Sequence, residues 1–147
     1  LVAKLSRVKN IVAVKEASGS LSQQSQIIEQ TRGTDFVLLS GDDDLTLPTI
    51  SLGGMGVVSV VANVAPRKTV AMVEAALKGD LEKARALHYE LAPLVRAMFF
   101  ETNPIPVKTA HKYLGMANGP LRLPLGEMAP EKEAALKEIL ERLGERA

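Results

Sequence analysis

The sequence contains no cysteine, which excludes disulfide frameworks, zinc ribbons, iron–sulfur clusters and thiol nucleophiles, and permits a cytoplasmic location. It also lacks a charge excess. Eighteen Lys and Arg against 17 Asp and Glu leave a formal charge of +1, and no basic cluster stands clear of neighbouring acids. That balance argues against nucleic acid as a partner and against binding to an anionic membrane surface. No apolar run approaches the roughly 20 residues that a membrane-spanning helix needs, and the opening LVAKLSRVKN is not a charged segment leading into a signal-peptide core. What is present is a 147-residue chain, 46% hydrophobic, with enough apolar material to bury a core and to read as a soluble domain. It opens at Leu1 in what reads as the tail of a helix, so a piece of something longer is expected.

Three short apolar runs mark the first half: Ile11–Val14, Phe36–Leu39 and Val57–Val61. They are rich in β-branched residues and do not alternate with polar ones, as strands buried on both faces of a parallel sheet require. Segments of helical length, Leu21–Arg32 and Leu45–Leu52, lie between them, punctuated by Gly19, Gly33 and Gly53-Gly54. The pattern β-α-β-α-β predicts an α/β fold with right-handed crossovers. Beyond Val64 only helix signals remain. One helix opens at Pro66 and ends at Gly79, and a second runs from about Asp80 to Phe100 with Pro93 inside it. A third spans Pro106 to Leu114, and a fourth opens at Pro130 and buries Leu136, Ile139, Leu140 and Leu143. The connection from Met116 to Pro130 reads as ordered loop, with Leu121, Leu123 and Leu125 expected to find burial.

In parallel α/β folds ligands gather at the carboxyl ends of the strands. Lys15 stands at the exit of the first run, where desolvation can free an amine to attack a carbonyl. The alternative is a strand-end lysine that snorkels to water or pairs with Glu16. Ser40-Gly41-Asp42-Asp43-Asp44 closes the second run. Successive carboxylates point in different directions, so helix capping is favoured over a metal site, and Gly41 is the more informative residue because it allows close backbone approach. Gly53-Gly54-Met55-Gly56 precedes the third run instead of following it, which argues against a phosphate loop. Val58 offers no side-chain chemistry, but its carbonyl can orient a ligand. His88 and His111 fall on separate helices without a third ligand and read as packing or surface residues.

Several stretches together resemble one family. They are Asn10–Gly19, Leu39–Asp43, Leu52–Val60, Ala62-Asn63-Val64 and Asn103-Pro104-Ile105-Pro106-Val107-Lys108, in order and across nearly the whole chain. The resemblance is to the pyruvate-dependent class I aldolases of the dihydrodipicolinate synthase and N-acetylneuraminate lyase superfamily, and within it to the synthase branch. It implies a TIM (β/α)8 barrel with a C-terminal three-helix annex, residues 1–79 being the last three βα units of the barrel and residues 80–147 the helical domain. It implies that Lys15 forms a Schiff base with pyruvate, that the Val58 carbonyl faces the bound pyruvate, and that Gly41 lies beside it. The implied reaction is a lyase-class condensation of pyruvate with aspartate 4-semialdehyde in lysine and diaminopimelate biosynthesis, without metal or organic cofactor. The implied assembly is a homotetramer.

The departure from the family is as definite. The first five βα units are absent, and with them the threonine pair, the tyrosines and the arginine that complete the family's site. A barrel typically needs about 250 residues, so this chain alone is expected to be a C-terminal part, catalytically incompetent and prone to associate through its open sheet. Two other readings remain open: another pyruvate-dependent aldolase of the same superfamily, and a non-catalytic assembly module.

Overall fold

A computed structural model describes residues 1–116 and 119–144. The chain divides into two compact units, one comprising Leu1–Ser59 and Ala71–Ala86, the other Val60–Val70 and Leu87–Ala147. The first unit holds a parallel sheet of strands β1 (Ala13–Glu16), β2 (Val37–Ser40) and β3 (Gly56–Val57), in that order among the described residues. A short helix α1 (Val2–Leu5) precedes the sheet, and helices α2 (Leu21–Thr31) and α3 (Thr46–Ser51) make the crossovers. Ala13 stands opposite Val37, Lys15 opposite Leu39, and Leu39 opposite Gly56. The predicted α/β alternation is therefore observed, with β1 and β3 as the two edges.

Strand boundaries differ from the apolar runs. β1 starts two residues later than Ile11 and extends through Lys15 and Glu16, because its ladder with β2 fixes the strand, and Val12 is 66% exposed. β3 is cut to two residues. Val58 adds one more rung by donating its N–H to the Ser40 carbonyl at 2.8 Å. Beyond it the chain coils into a 3-10 turn, Val61–Asn63.

One face of the sheet is covered and the other is bare. Leu38, Ser40 and Glu16 are buried beneath α2 and α3, whereas Lys15, Ala17 and Val58 are exposed. α2 begins on Ser20, whose hydroxyl accepts the Gln23 N–H at 3.2 Å, and it turns Gln24 and Ile27 inward. Ile50 packs with Ala75, Ala76 and Ala84, and with Leu47 and Val73 at the margin. These alanines let helices approach closely, and burying such apolar area is worth about 25 cal/mol per Å².

The second unit is helical. Helices α4 (Pro66–Leu77) and α5 (Leu81–Ala97) each have residues assigned to both units, and α6 (Ile105–Tyr113) and α7 (Pro130–Leu143) follow. α5 continues through Pro93. Leu91, Leu94 and Met98 recur at helical spacing and are buried, whereas Leu81 in the first turn is 49% exposed. α7 buries Leu136, Leu140 and Leu143, leaves Ile139 half-buried, and closes on Gly144 in a left-handed conformation at φ 77°. Its last carbonyl, that of Leu143, accepts a hydrogen bond from the Lys68 ammonium. Tyr113 donates to Glu133 at 3.0 Å, joining α6 to α7, and Glu101 accepts the Ala129 N–H at 3.0 Å just ahead of α7. In the connecting loop Leu121 and Leu125 are half-buried, but Leu123 is 93% exposed, so the expectation that all three leucines are buried fails for that one. No helix among the described residues is long and apolar enough to cross a membrane.

Candidate active site

The carboxyl ends of the three strands bring Lys15, Gly41 and Val58 onto neighbouring rungs. The Gly41 N–H donates to the Glu16 carbonyl at 2.7 Å, and the Val58 N–H to the Ser40 carbonyl at 2.8 Å, so both residues prolong the ladder by one step. The Lys15 chain runs across Gly41. A Cβ placed on Gly41 would lie 2.8 Å from Lys15 Cε, 2.4 Å from Ala17 Cβ and 3.1 Å from the Glu16 carbonyl oxygen. Real Cβ atoms do not approach that closely, so glycine is what lets the lysine lie flat against the strand end.

Lys15 is exposed within these 147 residues. The desolvation expected at a strand exit is thus not supplied here, because β1 is an edge strand and the face that carries the amine is bare. Nor does Lys15 pair with Glu16. Successive strand residues point to opposite faces, and Glu16 is buried beneath the sheet with 5% of its surface exposed.

The carboxylate of Glu16 organises the covered side. Its Oε1 accepts the Ser18 N–H at 3.0 Å and the Gln23 side-chain amide at 2.9 Å. Burial pushes the Glu16 carboxyl up, but hydrogen bonds from Ser18 and Gln23 outweigh it and hold the group below its ordinary value. Behind it, fully buried Gln24 accepts the Thr49 hydroxyl at 2.5 Å. Among the described residues three buried side-chain atoms are left without a hydrogen-bond partner: Glu16 Oε2, Gln24 Nε2 and Asp42 Oδ2.

The acidic run does not cap α3. The residue ahead of that helix is Leu45, with no side-chain cap. Instead Asp43 is buried and accepts a short hydrogen bond from the Ser59 hydroxyl, tying the loop after β2 to the residue after Val58. Ser40 shapes the same loop, its hydroxyl donating to the Asp42 carbonyl at 2.8 Å and accepting the Asp42 N–H at 3.2 Å. Neither the Asp43–Ser59 tie nor the Glu16–Gln24–Thr49 group was read from the sequence; the alternation of a strand, which puts Glu16 opposite Lys15, was the available signal.

Among the described residues no three His, Asp or Glu side chains are placed to hold a metal. His111 Nε2 meets the Asn63 carbonyl at 2.9 Å, and His88 lies edge-on to the Tyr89 ring. Two clefts in the helical unit, of about 130 and 140 Å³, are lined by Lys108, Lys112 and Glu133, and by Glu90, Pro93 and Arg142, respectively. Both are distinct from the strand ends.

The model of the dihydrodipicolinate synthetase family matches residues 1–143. The chain belongs to this family. It is 64% identical over 145 residues to the 4-hydroxy-tetrahydrodipicolinate synthase of Methanothrix thermoacetophila, covering 99% of this chain and 49% of that relative. It is 58% identical over 142 residues to the synthase of Methanospirillum hungatei, covering 97% and 49%. The solved dihydrodipicolinate synthase of Aquifex aeolicus superposes with a TM-score of 0.93 at 46% identity, covering 99% of this chain and 49% of that one. The chain thus spans about half the length of the curated relatives it matches.

Proposed function

We propose that this chain is the Schiff-base-forming part of a 4-hydroxy-tetrahydrodipicolinate synthase, a lyase of lysine and diaminopimelate biosynthesis. The observation that carries the reading is the placing of Lys15 on the open face at the strand ends, with Gly41 hollowed out beneath its Cε. The relatives are synthases by name and match this chain throughout.

In the proposed reaction the Lys15 amine attacks the keto carbon of pyruvate, and loss of water leaves an imine. The positive imine nitrogen then draws electrons as a proton leaves the pyruvate methyl group, giving an enamine. The enamine carbon attacks the aldehyde carbon of aspartate 4-semialdehyde, and the amine of that substrate displaces Lys15 as the product ring closes. The electron sink is the imine itself, so the chemistry calls for no metal or organic cofactor. The Val58 carbonyl orients the bound pyruvate, and Gly41 leaves room for it beside the lysine.

The remaining elements of the proposal concern the whole protein. Residues 1–79 are the last three βα units of a TIM (β/α)8 barrel, residues 80–147 are its helical annex, and the assembly is a cytoplasmic homotetramer. Borohydride reduction in the presence of pyruvate tests the central step: mass spectrometry of the whole protein is expected to find the adduct on Lys15 and none in Lys15→Ala. No adduct in the native protein would leave the assembly-module reading. An adduct with turnover on a different aldehyde would assign a sister aldolase.

A further inference from the structure

We propose that Glu16 is a positioning residue, a buried pin that fixes the register of β1 and so holds Lys15 on the open face; the inference rests on the Schiff-base role proposed above. A strand has a side-chain period of two, so a slip of one residue would exchange the faces of Lys15 and Glu16. Little else in β1 opposes that slip. The strand has four residues, it is paired on one side only among the described residues, and Ala13 and Val14 are both half-buried, so neither face is strongly marked as apolar.

Glu16 supplies the missing asymmetry. Its carboxylate is 5% exposed and accepts from the Ser18 N–H and from Gln23, both of which belong to the turn and helix that follow the strand. After a slip the Lys15 ammonium would face the Ser18 N–H, a donor where it needs an acceptor, and it would be satisfied only if the Gln23 and Gln24 amides turned over. Gln24 and Thr49 form the wall behind the pin, and Thr49 is itself fixed against Gly54, whose N–H donates to the Thr49 carbonyl at 2.9 Å. On the other face, the fit of Lys15 Cε over Gly41 requires the register observed.

The hydrogen bonds, not the negative charge, are what this role uses, and two variants separate them. Glu16→Gln keeps the reach and an acceptor oxygen. Its new amide is accommodated if Gln24 turns over, because the Thr49 hydroxyl accepts as readily as it donates. Glu16→Asp keeps the charge but is one methylene too short for Gln23. In the whole protein, the rate of borohydride-trapped adduct formation on Lys15 is expected to stay within about threefold of native in Glu16→Gln and to fall at least about tenfold in Glu16→Asp, since small misplacements of a reacting group are costly. Glu16→Asp at the native rate would overturn the proposal, and so would Glu16→Gln slowed as much as Glu16→Asp. Should Glu16→Asp not fold, Gln23→Met removes one bond to the pin from the solvent side. It is expected to slow trapping about two- to tenfold, the equivalent of one net hydrogen bond, and an unchanged rate overturns the pin. Native protein without any adduct would remove the Lys15 reading itself, whereas a native adduct with indifferent variants removes only the pin.

Discussion

At the scale of single residues, the tightest fit of the site is around Gly41, between the Ala17 methyl and the Lys15 chain. Gly41→Ala puts a methyl group 2.4 Å from Ala17 Cβ and 2.8 Å from Lys15 Cε. The strand ends must move apart or the lysine must lift. The substitution is expected to cost about 1–3 kcal/mol of stability and to slow pyruvate adduct formation by about 10- to 100-fold, measured by urea denaturation and by borohydride trapping. Glu16 adds a pH dependence. Its carboxyl is held below the ordinary 4.5, so its stabilising contribution is fully present above that value and is lost as the pH falls through the lower folded-state one. The stability gap between native protein and Glu16→Gln is expected to be constant near neutrality and to shrink under acid titration. A gap that widens on acidification would contradict this sign. Lys15, Gly41 and Val58 were all legible as strand-end positions, because apolar runs mark where strands stop. The partner of Asp43 was not legible, since Ser59 lies 16 positions along the chain and only the folded ladder brings the two together.

At the scale of elements, the helix that backs the site depends on its first turn. Ser20 caps α2, and α2 carries Gln23 to Glu16. Ser20→Ala is expected to destabilise the protein by about 1 kcal/mol, read as a lower urea midpoint with an unchanged slope. The helices were largely readable from the sequence. α2, α4 and α7 begin within a residue of the expected positions, because Gly19, Pro66 and Pro130 are local signals that act on the backbone of their own turn. The strands were less readable. A parallel strand is bounded by its partner, and neither the late start of β1 nor the two-residue length of β3 has a cause within its own segment. The bare face of the sheet shows the same limit. Near-continuous apolar runs announced burial on both faces, yet only the helix-bearing face is covered in these residues.

At the scale of the whole molecule, three strands in the order β1-β2-β3 leave two edges and one face open. Val58 is 44% exposed there. The 147-residue chain by itself is expected to show no turnover of pyruvate with aspartate 4-semialdehyde and to self-associate on concentration, a mass average rising with concentration in sedimentation equilibrium. The family and the α/β class were legible at this scale because the motifs span the chain, whereas the exposure of Lys15 was not, because it depends on which elements cover the sheet. The edge position of β1 has one more consequence. Val12 and Glu16 give their carbonyls to β2, so by the alternation of a parallel ladder the amide of Lys15 points away from β2, toward the open side. Hydrogen–deuterium exchange at that one amide therefore records whether another backbone lies alongside: fast in the 147-residue chain, slow wherever a further strand completes the sheet. The residue proposed to carry the chemistry carries in its own peptide N–H a gauge of whether a further strand has joined the sheet beside it.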